Sequence, residues 1–598
     1  MKILRKIFPL IPAALVLGAM MFPSGCANTT TPPSGGPKDT IPPILIKTVP
    51  LPGATHVPVH NTQLKFTFNE YVKVKDANNI FLSPPLEKKP KYRISGKTIV
   101  VSFESDLDSN TTYTLDITGA VVDNNEGNPY EGFTLVFSTG SQIDSMCMTG
   151  LVQDCNTLKP LAGATVLLYQ DQADSAVMLH RPNAAAKTDE WGFFSLRNIK
   201  DTTYRVYAIK DANNNNIYEP DQESVAFLDE PFRPSTVFND SIYEFKKFNM
   251  KDTALCLARK TDVELSLFRE KPSKQFIVKK ERVGLRTAYL TFMAPGATVH
   301  SMKIKGLPAE KLISQFNPQK DSLELWVNDL RKMPDTLHLE INYDKTDTLG
   351  QLVPTDEDVR LALDKQMRAE LQKSSRKDVK HEDTVAVYKG EVDATTVEQY
   401  GFSFEFKYPL IEEAWKELDF HSVNPRQQEK KETYTVSRDP DNLRRYTVMP
   451  EEKLQPGFEY FLKLPHRRFR DINGFYNDST VLKVSLPNDE KLSSVSFEFS
   501  GVNNKYIIDL LGEKRDKVIR SFIIDSDQTV LFPYVKAGKY CVRITEDRNG
   551  NGLVDTGSLL EHRQPEKVLF FKVNDQFLID IPERTEYIQK VHLKELFQ

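Results

Sequence analysis

One acidic loop near the end of the chain has the residue types and spacing of a calcium-binding loop. Side-chain oxygens stand at alternate or near-alternate positions, supplied by Asp547, Asn549, Asn551 and Asp555, and Gly552 stands at the sixth place. Calcium takes oxygen ligands, and a glycine at that place allows the sharp turn that gathers them. The spacing therefore predicts a structural cation site.

A second loop repeats this layout earlier in the chain. Asp211, Asn213 and Asn215 keep the spacing, whereas Asn216 stands where the other loop has glycine. Asparagine tolerates the left-handed backbone better than most residues. The first loop has Ser558 at the twelfth place, where an EF-hand has a bidentate glutamate. Two interpretations stay open: calcium sites that stiffen the loops, or hairpin loops held by Asx turns without metal.

Cys26 has the context of a lipid attachment site. A basic start at residues 2–6 is followed by an almost wholly apolar segment, 7–22, and by the small residues 23–25. This order is typical of a secretory signal, and the apolar run falls short of the roughly 20 residues that cross a bilayer. The cysteine after Ser-Gly resembles a bacterial lipobox, which implies a signal peptide at 1–25 and acyl chains, palmitate among them, on Cys26. The alternative is a buried cysteine in a signal-anchor helix.

Two further cysteines, Cys147 and Cys155, are near enough in sequence to close a small loop. The chain has five cysteines, and Cys256 and Cys541 stand alone. A Cys147–Cys155 disulfide and two reduced thiols in a strand pair are both compatible with the spacing.

Motifs for catalysis and for nucleic-acid binding are absent from the sequence. It contains no nucleophile elbow, no zinc-protease helix motif, no phosphate-binding glycine loop and no dinucleotide fingerprint. The formal net charge is −4, and loss of the three cations in residues 1–25 makes it about −7, so a clustered basic face for nucleic acid is not indicated. We expect a protein that is not an enzyme and binds no nucleic acid.

Alternating hydrophobic residues predict the β-strands that position the residues named above. Leu64, Phe66 and Phe68 alternate with polar residues, and clusters such as "DNNEGNPYEG" separate runs of this kind. Short alternating strands between turn clusters predict an all-β chain of sandwiches. Val359 and Leu361 also alternate, which predicts a closing strand ahead of a charged linker.

Five sandwich domains are predicted behind the signal peptide and a Thr-, Pro-, Gly- and Ser-rich tether. The expected segments are the signal peptide 1–25, the lipidated linker 26–41, the sandwiches 42–140, 147–250 and 261–364, the charged linker 365–383, and the sandwiches 384–487 and 493–598. The fourth domain echoes the first in strand and turn order. The fifth echoes the second without a gap, with Tyr540 over Tyr204 and Asp547 over Asp211.

The first and second domains resemble known modules. "PPILIKTVPLPGATHVPVHNTQLKFTFNEYV" and "YTLDITGAVVDNNEGN" are similar to the bacterial Ig-like domain. "GLVQDCNTLKPLAGATVLLYQ", "TDEWGFFSLRNI" and "TTYRVYAIKDANNNN" resemble a transthyretin-like or carboxypeptidase-regulatory-like β-sandwich, which implies a fold and not an activity. The third domain has no motif beyond its strand pattern.

The opening of the chain resembles a family of Bacteroidota lipoproteins. The matching residues are Cys26-Ala27-Asn28 and "GGPKDTIPP", which runs directly into the Ig-like domain. The resemblance implies an outer-membrane protein anchored by lipid, with the cell surface favoured over the periplasmic side. The expected function is a scaffold for envelope proteins, such as an accessory subunit of an outer-membrane barrel complex, including the barrel-assembly machinery. The alternative is a calcium-stabilised adhesin or glycan-binding protein.

Overall fold

The computed structural model describes residues 39–130, 132–220, 222–236, 261–366, 368–369, 385–486, 492–574 and 576–597. The chain forms two compact units, one comprising Met1–Leu82 and Lys88–Gln142, the other Ser83–Glu87 and Ile143–Gln598. Cys26, Cys256, the signal peptide, the tether up to Lys38 and nearly all of the charged linker lie outside the described residues. Within the described residues the all-β expectation is confirmed, since short strands in small sheets make up nearly all of the regular structure.

The first unit contains one β-sandwich. Its strands are β1 Leu45–Val49, β2 Gln63–Phe68, β3 Val72–Val74, β4 Phe81–Ser83, β5 Lys91–Ser95, β6 Thr98–Ser102, β7 Thr112–Asp116, β8 Val121–Asp123 and β9 Thr134–Ser138, with a 3-10 turn at Ala77–Asn79. One sheet has the order β1-β2-β6-β5, another β4-β7-β9, and β3 pairs with β8. Leu64, Phe66 and Phe68 on β2 are buried and Lys65 is exposed, so alternate side chains enter the core as the sequence predicts.

The second sandwich opens the second unit. Its elements are β10 Met146–Asp154, β11 Thr165–Tyr169, α1 Ala176–Leu179, β12 Ala184–Lys187, β13 Phe193–Ile199, β14 Arg205–Ile209, β15 Val225–Phe227 and β16 Val263–Leu267. The sheets have the orders β13-β10-β16 and β12-β11-β14-β15. β16 pairs in parallel with β10, and its Val263, Leu265 and Leu267 are buried in this core. The boundary with the third sandwich therefore lies after Leu267 and not at Thr261. A parallel pair has no hairpin turn to mark it in the sequence.

The third sandwich consists of two antiparallel sheets. Its strands are β17 Ile277–Arg282, β18 Thr287–Phe292, β19 Val299–Ile304, β20 Leu312–Phe316, β21 Ser322–Val327, β22 Thr336–Thr346 and β23 Leu352–Ala362, with a 3-10 turn at Ala309–Lys311. The orders are β17-β18-β21-β20 and β19-β22-β23. β23 is the closing strand expected from the alternation of Val359 and Leu361, both of which are buried.

The fourth sandwich has the strand order of the first. Its elements are β24 Tyr388–Glu391, α2 Val397–Tyr400, β25 Phe402–Phe406, β26 Leu410–Glu412, a 3-10 turn at Trp415–Glu417, β27 Asp419–Val423, β28 Glu429–Lys431, β29 Tyr434–Asp439, β30 Asn442–Pro450, β31 Glu459–Leu464, β32 Arg470–Asp471 and β33 Thr480–Ser485. The orders β24-β25-β30-β29 and β27-β31-β33, and the pair β26-β32, reproduce β1-β2-β6-β5, β4-β7-β9 and β3-β8, with β28 as an added edge strand.

The fifth sandwich has the strand order of the second. Its elements are β34 Ser493–Ser500, β35 Lys505–Gly512, β36 Val518–Ile524, β37 Gln528–Val535, β38 Gly538–Asp547, β39 Val568–Phe570, β40 Ile579–Ile581, β41 Glu586–His592 and α3 Leu593–Leu596. The orders β37-β34-β41 and β36-β35-β38-β39 correspond to β13-β10-β16 and β12-β11-β14-β15, and β41 is again parallel to the central strand β34. The internal repeat read from the sequence is therefore present in the topology.

One tyrosine at a strand entry distinguishes the two kinds of repeat, and this residue is buried for Tyr113, Tyr204 and Tyr460 and half-buried for Tyr540. In the first and fourth sandwiches, the hydroxyls of Tyr113 and Tyr460 accept from the backbone N–H five residues upstream, at 2.7 and 2.6 Å. In the second and fifth, the hydroxyls of Tyr204 and Tyr540 donate to the carbonyl four residues upstream, at 3.1 and 2.8 Å. Such corners fix the entry of a strand into its sheet, and each kind of repeat has its own.

Gly150 tests the parallel pairing of β10 and β16. A Cβ at this position would lie 2.6 Å from the ring of Phe194 and 2.6 Å from Val263 Cγ2, its neighbours on the two adjacent strands. We expect Gly150→Ala to lower the free energy of unfolding by about 1–3 kcal/mol, because the added methyl group forces both strands apart. Thermal unfolding and hydrogen exchange of the β10 and β16 amides measure the change.

Gly512→Ala is the matched control, since a Cβ there meets nothing within 4 Å. Its effect should stay within about 0.5 kcal/mol. Equal stability of the two variants would show that β10 does not have these close neighbours.

Candidate functional site: the two acidic loops

The two acidic loops occupy equivalent places in the second and fifth sandwiches. The loop that begins at Asp211 connects β14 to β15, and the loop that begins at Asp547 connects β38 to β39. β14 and β38 are the third strands of the corresponding orders β12-β11-β14-β15 and β36-β35-β38-β39, and in the fifth sandwich β40 also pairs with β38. The sequence alignment of Asp547 over Asp211 is confirmed by this topology.

In the fifth sandwich, the predicted residues form one hydrogen-bonded cluster. Asp547, 1% exposed, accepts from the backbone N–H of Asn551 at 3.1 Å and of Gly552 at 2.7 Å. The side-chain amides of Asn549 and Asn551 donate to Asp555 Oδ2 at 2.6 and 2.7 Å. Gly552 has φ +75°, the left-handed conformation that the sequence predicted for the sixth place.

The loop of the second sandwich is built in the same way. Asp211 accepts from the backbone N–H of Asn215 at 3.2 Å and of Asn216 at 2.8 Å. The side-chain amides of Asn213 and Asn215 donate to Glu219 Oε1 at 3.0 and 3.1 Å. Asn216 has φ +59° and so takes the glycine's conformation. Glu219, which was not predicted from the sequence, occupies the place of Asp555.

One buried glutamate in each loop accepts hydrogen bonds from two backbone N–H groups of that loop, and neither glutamate was predicted from the sequence. Glu566 accepts from the backbone N–H of Arg548 and of Asp555, both at 3.0 Å, and Glu223 accepts from the two equivalent N–H groups. Burial raises the pKa of both carboxyls. Glu219 could have been predicted from the sequence, because it follows Asp211 at the same distance as Asp555 follows Asp547. Glu223 and Glu566 had no such signal, because they follow their aspartates at different distances.

Asp555 is charged within this network. Burial alone would raise its pKa, but hydrogen bonds from Asn549, Lys271 and Asn551 outweigh burial and leave the pKa below its ordinary value. Lys271 Nζ lies 3.1 Å from Asp555 Oδ1. Within the described residues, no group of three His, Cys, Asp or Glu side chains is arranged to hold a metal ion. A calcium ion would need the amides of Asn549 and Asn551 turned so that their oxygens face inward. Calcium in these loops stays a prediction.

The segment 268–271 joins the two loops. Glu270 accepts from the Leu559 N–H at 2.6 Å through one carboxylate oxygen and from the Tyr218 hydroxyl at 2.7 Å through the other. Tyr218 belongs to the loop of the second sandwich and Leu559 to that of the fifth. The Thr556 hydroxyl donates to the Arg269 carbonyl at 2.7 Å. One carboxylate thus ties the two repeats together.

A second set of contacts lies beside Glu270. His562 Nε2 lies 3.2 Å from the Asp229 carbonyl oxygen, and the Gln564 amide donates to the Phe227 carbonyl at 3.0 Å. The Phe227 ring lies 5.1 Å from the His562 ring and 6.0 Å from that of Phe268. The second and fifth sandwiches therefore share polar and apolar contacts.

The remaining neighbours of the second unit are also in contact. Between the third and fourth sandwiches, Arg444 pairs with Glu324 at 3.1 Å and the Leu443 N–H donates to Gln315 at 2.6 Å. Between the fourth and fifth, Arg520 donates to the Thr395 carbonyl at 3.0 Å. The chain runs on from the 268–271 segment into the third sandwich. Through this connection and the contacts above, four sandwiches form a closed circuit, which we call the sandwich circuit.

The disulfide between Cys147 and Cys155 is not formed. Cys147 lies near the start of β10 and Cys155 follows its end, so eight residues of extended strand, roughly 26 Å, separate them. A disulfide needs Cα atoms within about 7 Å. Both side chains are buried, and burial raises the pKa of Cys155 to about 12. The alternative of two reduced thiols is the one that the structure supports.

Comparison with known proteins identifies one of the domains. Residues 39–139 match the bacterial Ig-like domain family. No curated protein matches the chain. Among the described residues, no helix combines the length and the apolar character needed to cross a bilayer.

Several solved structures are similar to this chain at low scores. An S-layer protein is 14% identical, with 90% of this chain and 59% of that chain covered and a TM-score of 0.13. The major pilin subunit of Bacillus cereus is 10% identical, with 75% and 99% covered and a TM-score of 0.12. The BSP domain of a biofilm-associated protein is 8% identical, with 87% and 97% covered and a TM-score of 0.14. Such scores say nothing about activity or partners, and the firm assignment is that residues 39–139 are a bacterial Ig-like domain.

Proposed function

We propose that this chain is a non-enzymatic, lipid-anchored scaffold of the outer membrane that holds other envelope proteins in fixed positions. Its partners would be outer-membrane barrel proteins, and an accessory role in the barrel-assembly machinery is the specific form of this proposal. The proposal rests on the sandwich circuit. Modules joined only by linkers move independently, whereas here the fifth sandwich is tied to the second through Glu270 and to the fourth through Arg520.

A fixed arrangement of surfaces is what a scaffold needs. Interfaces with partners gain affinity when the binding surface is pre-organised, because less motion is lost on binding. The sandwich circuit fixes surfaces that are far apart in sequence, since the contacting residues Glu270 and Leu559 are 289 positions apart.

The membership and anchoring of the chain belong to the same proposal. The segment "GGPKDTIPP" after Cys26 supports a Bacteroidota lipoprotein. The shared strand order of the second and fifth sandwiches supports transthyretin-like repeats. The anchor would be acyl chains on Cys26, with the body at the cell surface.

Replacement of the proposed acylated residue tests the anchor. We expect Cys26→Ser to abolish incorporation of a palmitate analogue and to move the protein from the membrane to the soluble fraction, because the thiol at the proposed attachment site is lost. Cys155→Ala is the control, since Cys155 is buried within the second sandwich, and this variant should keep label and membrane fraction. Label on the Cys26→Ser protein would disprove the anchor.

Purification under mild detergent with cross-linking tests the scaffold. We expect a constant set of outer-membrane barrel proteins with the wild-type chain, and a reduced set with Glu270→Ala, which removes the acceptor shared by Tyr218 and Leu559. Glu310→Ala, an exposed carboxylate on the third sandwich, should retain the full set. Retention of glycans without proteins would favour the adhesin instead, and turnover of a substrate would overturn both functions.

The second candidate is a calcium-stabilised adhesin or glycan-binding protein. The observation that favours it is that both acidic loops gather side-chain oxygens in one layout, with Asp547 matching Asp211 and Asp555 matching Glu219. Coordination of a cation would relieve the crowding of carboxylates and stiffen each loop.

Calcium titration of chelator-treated protein tests this candidate. A ligand at 100 times its dissociation constant stabilises the folded state by about 2.7 kcal/mol. We therefore expect the melting temperature to rise by several degrees with calcium, and to rise less in Asp547→Ala. The exposed Asp525 provides the control Asp525→Ala, which should respond like wild type. A melting temperature insensitive to calcium in all three proteins would leave Asx turns as the explanation of the loops.

A further inference from the structure

The outer face of the sheet β1-β2-β6-β5 in the first unit is cationic. One row of directly opposed residues crosses the sheet: Val49 pairs with Lys65, Lys65 with Val100, and Val100 with Arg93. Lys47 lies two residues from Val49 and so faces the same side. Since Phe66 and its neighbours Thr48 and Ile99 face the core, this row lies on the opposite side of the sheet, where the buried Val100 lies between the exposed Lys65 and Arg93.

The exposure and pairing of these cations determine how much of their charge is compensated. Lys47, Lys65 and Arg93 are exposed, and within the described residues none of them forms an ion pair. Glu104, two residues beyond β6, pairs with Lys91 at the edge of the sheet and with Lys88. Three uncompensated charges on one flat face therefore form a local positive surface, which we call the basic face.

Apolar side chains border the basic face along β1. Ile46 is 66% exposed, Leu51 67% and Val49 43%. Ile46 is the extra residue at a bulge between Leu45 and Lys47, so β1 presents it beside the cations. Cations next to exposed aliphatic side chains are the composition that lies at a lipid–water boundary.

We propose that the basic face binds a bilayer surface through the phosphate groups of anionic lipids. The inference rests on the proposed function in one respect, because the anchor on Cys26 would hold this unit at the membrane. The 13 residues from Cys26 to Asp39 can span at most about 45 Å. β1 begins six residues after Asp39, so the tether delivers this sheet first.

Such tethering makes weak electrostatic binding effective. A short linker raises the local concentration of the tethered surface to the millimolar range. Attraction between the cations and anionic headgroups acts within a Debye length, about 8 Å at physiological ionic strength. The basic face therefore needs only the small affinity that three cations provide.

Sedimentation with lipid vesicles tests the proposal. The protein is the chain from residue 26 with Cys26→Ser, so that no acyl chain contributes. We expect it to bind vesicles containing phosphatidylglycerol, to bind pure phosphatidylcholine vesicles weakly, and to be released by salt. Combined Lys47→Glu, Lys65→Glu and Arg93→Glu should lower partitioning on the order of 100-fold, and the corresponding glutamine variant should lower it less.

The control has the same change of charge elsewhere. Lys274, Lys280 and Lys332 are exposed lysines around the third sandwich, and their replacement by glutamate should leave vesicle binding within about twofold of wild type, since they lie outside the basic face. Unchanged melting temperatures establish that each variant is folded.

The outcomes separate this inference from the lipid anchor. Equal loss in both charge variants, no loss in either, or no binding by the starting protein overturns the basic face as a lipid site. Equal binding to phosphatidylcholine, or binding to a soluble acidic polysaccharide in preference to vesicles, overturns it as well. Absence of acyl label on Cys26 contradicts the anchor alone, because vesicle binding by the Cys26→Ser chain does not depend on acylation.

Discussion

The carboxylate of Glu270 lies where two distant parts of the chain meet, and the order of the second unit depends on that meeting. Its oxygens accept from Tyr218 in one repeat and from Leu559 in the other. Hydrogen bonds to a charged acceptor contribute about 1.5–3 kcal/mol each, and the adjacent Lys271–Asp555 ion pair adds to them. Glu270 and Leu559 are 289 positions apart, and bringing them together would cost conformational entropy if the chain between them were a flexible loop. The folded third and fourth sandwiches reduce that cost, because Arg444, Glu324 and Arg520 already fix most of the intervening geometry.

The acidic loop of the fifth sandwich also takes part in the contact between the two repeats. Asp555 receives the amides of Asn549 and Asn551 within its own loop and also pairs with Lys271 from the segment between the sandwiches. A cation bound in the loop would compete with Lys271 for the same carboxylate. Cation binding and the contact between repeats are therefore linked through one residue. Glu219, the equivalent of Asp555, makes its two hydrogen bonds to Asn213 and Asn215, so the two loops differ in this linkage.

Local periodicity was enough to predict the strands but not the distant contacts. The alternation of Leu64, Phe66 and Phe68 predicted a half-buried strand, and the alignment of Asp547 with Asp211 predicted two equivalent loops. The first signal lies within a few residues, and the second is a short motif that occurs twice. The placement of β16 was missed because its partner β10 is more than a hundred residues away and parallel. The role of Glu270 had no local signal, since its partners are brought near only by folding. The Cys147–Cys155 spacing was misleading, because the chain between them is one extended strand.

Net charge and local charge lead to opposite expectations for the membrane. Without residues 1–25 the chain has a net charge of about −7, which alone would repel an anionic bilayer. Screening limits that repulsion to groups within about 8 Å of the lipid. A sheet that presents Lys47, Lys65 and Arg93 experiences a local potential of the opposite sign, because no ion pair neutralises these side chains within the described residues. In the proposed arrangement, the basic face would determine which side of the first unit approaches the headgroups, whatever the net charge of the rest of the chain. If the chain carries the proposed anchor, segregation of charge and not its total would therefore orient the protein at the bilayer.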